Sequence, residues 1–113
     1  RVHELEGEHG IPLPTIGHAA DGNVHTHAMR RALDDGVLGT EIEGWRGRHE
    51  RVRAGIYDDA MARGGVISGE HGIGLVKKDL LERNVGEGAV AAMRAIKRAL
   101  DPKGILNPGK IFD

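Results

Sequence analysis

Apolar residues recur along this chain at two different periods, and the switch between them marks its elements. Val2, Leu5 and His9 fall at helical spacing, Gly10 supplies a stop, and Pro12 and Pro14 follow, so a helix is expected to open the chain and end near residue 10. Leu13 to Ile16 reads as extended, and Val24 to Met29 alternates. Between them lies Asp21-Gly22-Asn23. Asp-Gly between two extended segments predicts a hairpin, because glycine accepts the positive φ that a type I′ turn demands. Asp34 to Gly39 reads as a loop.

Thr40, with Glu43 three residues on, has the form of a capping box. Beyond it Trp45, His49, Val52, Ile56 and Ala60 share one helix face. Gly44, Gly47 and Gly55 weaken this helix, each by about 1 kcal/mol relative to Ala, and leave its start ill-defined. Gly64-Gly65 ends it, and Val66-Ile67-Ser68 then reads as a short buried strand entering a glycine-rich turn at 69–74. Lys77 to Arg83 predicts a short helix. Glu87 to Leu100 predicts a longer one, with Val90, Met93, Ile96 and Leu100 inward and Asp101-Pro102 as terminator. The tail from Ile105 to Lys110 is irregular. Helices interleaved with hairpin-like strands make the fold class α+β, antiparallel strands with packed helices.

Length and composition narrow the functional classes. At 113 residues the chain is at most one domain, and with 39% hydrophobic but only 3% aromatic residues its core must be built from aliphatics and Ala. That is thin for a self-sufficient enzyme. The net charge of −1 and the mixing of charges argue against nucleic acid or an anionic membrane as partner. There is no cysteine, so disulfides, thiolate metal sites and Cys nucleophiles are all excluded. That absence is compatible with a cytoplasmic location, and no signal-peptide pattern or run of membrane-spanning length is seen. The chain opens at Arg1, already inside a helical pattern without a cap, which reads as the interior of a longer protein. An apolar patch left where a missing domain packed would drive self-association, so an oligomer is expected of the isolated chain.

Four of the seven histidines, His18, His25, His27 and His71, sit in two glycine-rich segments. If Asp21-Gly22 forms a two-residue loop, Ala20 opposes Asn23, Ala19 opposes Val24, and His18 faces His25. Directly opposite residues have Cβ atoms about 4.5–5.5 Å apart, near enough for two imidazoles to share a metal. His25 and His27, two apart on a strand, point to one face. A carboxylate would complete a His₂Glu set with open positions, and Glu70 is the obvious candidate. His71 beside it can exchange a proton near neutral pH. The turn at 69–74 lacks the Lys-Ser/Thr of a P-loop and the spacing of a dinucleotide fingerprint, and no HExxH supports protease chemistry. His3, His9 and His49 read as solvated, as do Asp58-Asp59 and the Lys/Arg residues near 94–98.

Three segments in order carry a resemblance. Gly17-His18-Ala19-Ala20-Asp21-Gly22-Asn23-Val24-His25 resembles the GHxGDGNLH segment of the FAD-linked oxidase C-terminal family. Gly65 to Lys77 resembles its GGxxSGEHGIGxxK segment, and Met93 to Lys110 its closing MRxIKxxLDPxGILNPGK. Ala20 stands where Gly is commoner, a small-for-small change.

The resemblance implies a two-part flavoprotein of the vanillyl-alcohol-oxidase superfamily, in which an N-terminal domain binds FAD and a C-terminal α+β cap domain holds the substrate. Members oxidise glycolate, D-lactate, D-2-hydroxyglutarate and related 2-hydroxy acids. It also implies that His18, His25 and Glu70 bind a zinc-type metal, as the matching residues do in D-2-hydroxyglutarate dehydrogenase-like members. His71 would contact substrate and act as the base. The position two after the second motif histidine, a substrate-binding Asn in the family, is His27 here. Asn107 is expected near the flavin. As a C-terminal piece without its FAD-binding domain, residues 1–113 are expected to be inactive alone. The alternative is a stand-alone metal-binding or regulatory module that uses the same three ligands without redox activity; a neighbouring FAD-binding domain upstream separates the two. A metal-assisted hydrolase has the least support, since no oxyanion donor set or nucleophile is apparent.

Overall fold

The computed structural model describes residues 1–18 and 20–112. The chain divides into two compact units, Arg1–Ala62 and Arg63–Asp113. Helices and small antiparallel sheets make up an α+β fold.

The first unit contains α1 (Val2–His9), the strand pairs β1 (Thr15–His18) with β2 (Asn23–Thr26) and β3 (Arg31–Asp34) with β4 (Val37–Glu41), and α2 (Trp45–Ala62). Helix α1 stops where expected, at Gly10 in the left-handed conformation (φ 59°), whose N–H donates to the Glu6 carbonyl. Arg48 donates to the His9 carbonyl at 3.2 Å, placing a cation at the negative end of the α1 dipole. The chain then turns back by a side-chain device: the Leu13 N–H donates to Glu6 Oε1 at 3.0 Å. Leu5, Ile11, Leu13 and Val52 form the buried core, with Val2, Ala28, Ile42, Trp45 and Ile56 packed around it. Each such aliphatic contributes about 1.5–3 kcal/mol by leaving water. Trp45 adds a polar anchor, its indole N–H donating to the Met29 carbonyl at 2.8 Å.

Three expectations for this unit are corrected. Asp34 to Gly39 is no plain loop: Asp35 (φ 46°) and Gly36 (φ 80°) form a tight turn that pairs Asp34 with Val37 and Leu33 with Leu38. Two successive positive φ values are the signature of a type I′ turn. Thr40 lies in β4, so it caps nothing, and α2 begins at Trp45. The β1–β2 register also differs from the two-residue-loop expectation, with consequences for the site below.

The second unit contains α3 (Lys78–Val85) and α4 (Glu87–Leu100), which pack on each other across the break at Gly86. Val66-Ile67-Ser68 is not a strand. Ile67 is buried as expected, but its N–H donates to Asn84 Oδ1 while Asn84 Nδ2 donates to the Gly65 carbonyl, both at 3.3 Å. One asparagine side chain supplies the partners that a neighbouring strand would have offered. On α4 only Val90 is buried; Met93, Ile96 and Leu100 are exposed, the last by 77%. With α3 eight residues long and α4 fourteen, α3 spans about 12 Å at 1.5 Å per residue and leaves the far half of α4 uncovered by it.

Candidate active site

The glycine before the first motif histidine is required by close approach. A Cβ on Gly17 would lie 2.4 Å from the Asn23 carbonyl oxygen, so only glycine lets β1 and β2 come together there. The register is Thr15 with Thr26, Ile16 with His25, Gly17 with Val24 and His18 with Asn23. The pairing continues past the strands, since the His27 and Met29 N–H groups donate to the Pro14 and Pro12 carbonyls, both at 3.0 Å.

The loop therefore spans four residues rather than two. The Asp21 and Gly22 N–H groups both turn back to the His18 carbonyl, at 3.3 and 3.0 Å, and Asp21 Oδ1 accepts from the Asn23 N–H at 3.1 Å. Ala20 accordingly lies in the loop and does not oppose Asn23. The expected pairing of Ala19 with Val24 falls on Ala19, outside the described residues. His18 opposes Asn23, and His25 sits one diagonal step away on the same face. Diagonal neighbours on a sheet face remain within reach of ring side chains. The two imidazoles meet edge to face with centroids 5.6 Å apart.

That spacing bears on a metal. Two imidazoles that share a tetrahedral ion through nitrogens about 2.0–2.1 Å away have centroids roughly 5.3 Å apart. The observed pair matches this to a few tenths of an ångström, with His18 exposed and His25 half-buried. Two imidazoles brought together in this way offer nitrogen donors of the kind that suit a borderline-soft divalent metal. His27 lies just past the end of β2 and is exposed.

Glu70 and His71 belong to the second unit. They are the two central residues of a turn closed by the Gly72 N–H on the Gly69 carbonyl at 3.1 Å. Both side chains are exposed, and His71 Nε2 lies 3.6 Å from Glu70 Oε1. A turn that exposes a carboxylate and an imidazole side by side offers a metal ligand and a proton acceptor to the same ligand. Asn107 is exposed in the tail, with φ at 46° and its carbonyl accepting from the Lys110 N–H at 3.3 Å.

Two clefts of the first unit lie elsewhere: one is lined by Arg30, Glu41, Trp45 and Arg46, another by Met29, Arg30 and Leu38. Arg30 there is occupied by Glu41, at 2.7 and 3.0 Å. Asp101 is a residue the sequence marks only as a helix terminator. It is buried, and the Lys97 ammonium together with the Leu106 and Ile105 N–H groups holds its carboxyl below the usual carboxylate range. The available signal was Lys-x-x-x-Asp ahead of Pro, which places a cation one turn from the helix end.

Comparison with known proteins adds the ancestry. The family described as FAD linked oxidases, C-terminal domain, matches residues 1–111. D-lactate dehydrogenase of Archaeoglobus fulgidus is 46% identical over 111 residues, covering 98% of this chain and 22% of that protein. Glycolate oxidase subunit GlcD of Bacillus subtilis is 37% identical, with the same coverage of 98% and 22%. D-2-hydroxyglutarate dehydrogenase of Stutzerimonas stutzeri is 32% identical over 114 residues, covering 98% of this chain and 23% of that protein. The chain thus spans about a fifth of the length of these relatives.

Proposed function

The chain belongs to the family of FAD-linked oxidase C-terminal domains, and on that footing we propose that it is the substrate- and metal-binding part of an FAD-dependent oxidoreductase that oxidises a 2-hydroxy acid, such as glycolate or D-lactate, to the 2-oxo acid. The observation that carries this reading is the His18–His25 pair, two imidazoles of one hairpin face at the spacing of a shared ion. Relatives that act on D-lactate and D-2-hydroxyglutarate support the substrate class. We assign Glu70 as the carboxylate that completes the ligand set. Two imidazoles and one carboxylate would supply three ligands, a set that suits a catalytic rather than a purely structural metal.

When bound, a divalent metal there supplies Lewis acidity toward the substrate's carboxylate and 2-hydroxyl. The residues of the chain do the rest. His18, His25 and Glu70 would hold the ion and so fix where the hydroxyl lies. His71, next in the chain to Glu70, takes the hydroxyl proton, which a neutral imidazole does near pH 7. His27 reaches the substrate from the end of the same hairpin, offering an imidazole in place of an amide. Asn107 faces the flavin, which is the family's hydride acceptor and is bound chiefly by a separate FAD-binding domain of the same protein. Turnover is assigned to the protein that carries both this chain and that domain.

The test is anaerobic reduction. In the FAD-loaded protein that contains this chain, D-lactate, glycolate or D-2-hydroxyglutarate should bleach the flavin absorbance, and His71→Ala should slow the bleaching about 10²–10⁴-fold, the usual worth of a general base. A flavin that none of these acids reduces would overturn the reading.

A further inference from the structure

The tail after α4 is held by a cluster that the chemistry above does not use. Asp101, at the C-cap of α4, is the buried charged residue among the described residues, at 7% exposure. Its Oδ1 accepts from the Ile105 N–H at 3.1 Å, and its Oδ2 accepts from the Leu106 N–H at 3.0 Å and from Lys97 Nζ. Lys97 Nζ makes a second bond, to the Leu106 carbonyl, at 2.6 Å. Both backbone polar groups of Leu106 are therefore taken, the N–H by the carboxylate and the C=O by the ammonium.

Packing does not hold this segment. The Ile105 and Leu106 side chains are 69% and 59% exposed, so their burial contributes little and the charge-assisted bonds dominate. The next residue is Asn107, at φ 46°, in the left-handed region that asparagine enters more readily than most non-glycine residues. Beyond it the Ile111 N–H donates to the Gly74 carbonyl at 2.8 Å. Asn107 is thus pinned on both sides, and the far pin is three residues from His71. The cap bond of α4 runs from the Asp101 backbone N–H to the Lys97 carbonyl and needs neither side chain. The second bond of Lys97 lies outside that requirement and acts only on the tail.

We propose that Lys97 and Asp101 are positioning residues for the oxidation site. They fix the backbone of Leu106 and thereby present Asn107 in a single conformation on the flavin-facing side. The inference rests on the role given to Asn107 above.

Three variants of the FAD-loaded protein test it. Lys97→Met removes the ammonium and keeps the stem, leaving the backbone cap of α4 intact. Amide exchange at Leu106 and Asn107 should quicken about tenfold or more while α4 stays protected, and kcat should fall by about tenfold with KM little changed, as expected when a group is mispositioned without losing ground-state binding. Lys97→Arg, which can reach both the carboxylate and the Leu106 carbonyl, should restore both. Asp101→Asn, which keeps the volume and one acceptor, should act in the same direction as Lys97→Met and serves if that variant folds poorly. Exchange at the wild-type rate in Lys97→Met and Asp101→Asn overturns the clamp. Faster exchange with unchanged kcat overturns its link to the chemistry. Failure of the functional reading shows elsewhere, in an unsubstituted protein whose flavin no 2-hydroxy acid reduces, whereas amide exchange reads the clamp without turnover.

Discussion

His18 and His25 meet edge to face at 5.6 Å although they occupy diagonal rather than opposite positions of the β1–β2 hairpin. The diagonal follows from the four-residue loop, which sets His18 against Asn23 and still leaves both imidazoles on one sheet face. A direct pairing would bring the ring-bearing Cβ atoms to about 4.5–5.5 Å. Diagonal neighbours start farther apart than that, yet the two rings still meet. We predict that Co²⁺ or Zn²⁺ titrated into the chain at neutral pH binds with an affinity that drops at least 10-fold, and roughly 100-fold, in either His18→Ala or His25→Ala, since even outer-sphere partners of a metal site are worth about that much. Equal metal uptake by wild type and both variants would remove the site from this hairpin.

Gly17 controls the same geometry from the backbone. Its missing Cβ would stand 2.4 Å from the Asn23 carbonyl oxygen, and backbone gives way less readily than a side-chain tip. Gly17→Ala is predicted to separate β1 from β2 at a cost of about 1–3 kcal/mol and to weaken metal binding although no ligand is changed. Thermal unfolding and metal titration of the same sample check both halves. A Gly17→Ala chain with wild-type melting and affinity would show that the strands do not need this approach.

Much of this was legible in the residue pattern, and the failures have separate causes. Helices α1 and α4 and the lower face of α2 follow from apolar spacing and glycine stops, as Leu5, Val52 and Val90 confirm by their burial. The two glycine-rich histidine segments could be picked out because their residue types are unusual together. One failure was decided by a hydrogen bond between residues distant in the chain. Asn84 substitutes for a strand beside Ile67, and local sequence around Val66-Ile67-Ser68 cannot reveal it. The Asp35-Gly36 turn carried the same Asp-Gly signal that was read at Asp21-Gly22; it was the former that formed the tight turn, while Asp21 used its carboxylate on the Asn23 N–H instead. Inward positions on α4 were overcounted because a periodic stripe states which face is apolar, not how far a neighbour extends to cover it.

Helix α4 also carries a glycine without a structural task. A Cβ on Gly88 would meet nothing within 4 Å, and its φ is not in the left-handed range. The same holds for Gly7 in α1. Gly88→Ala and Gly7→Ala are predicted to stabilise their helices by about 0.5–1 kcal/mol each, and to raise the melting temperature by a few degrees. Metal affinity should stay at the wild-type value, which contrasts with Gly17→Ala. Lower melting temperatures in both would mean that these helices meet neighbours at positions that are open here.

Acid should expose the contribution of Asp101. Its carboxyl is held below the ordinary range, first by the hydrogen bond from Lys97 and then by the Leu106 and Ile105 N–H groups. A carboxyl with a depressed folded-state pKa binds its proton more readily unfolded than folded. Its stabilisation is therefore complete above the ordinary carboxylate value and is lost as pH falls through the lower folded value. The window lies below about pH 4. Other carboxylates titrate there too, so the informative quantity is the difference between wild type and Asp101→Asn. Urea midpoints should differ at pH 7 in favour of wild type, and the gap should narrow as pH falls below the ordinary carboxylate range, with unchanged m-values. A gap that persists undiminished at the acid end would assign the loss in Asp101→Asn to altered packing rather than to the charge that Lys97 and the tail amides stabilise.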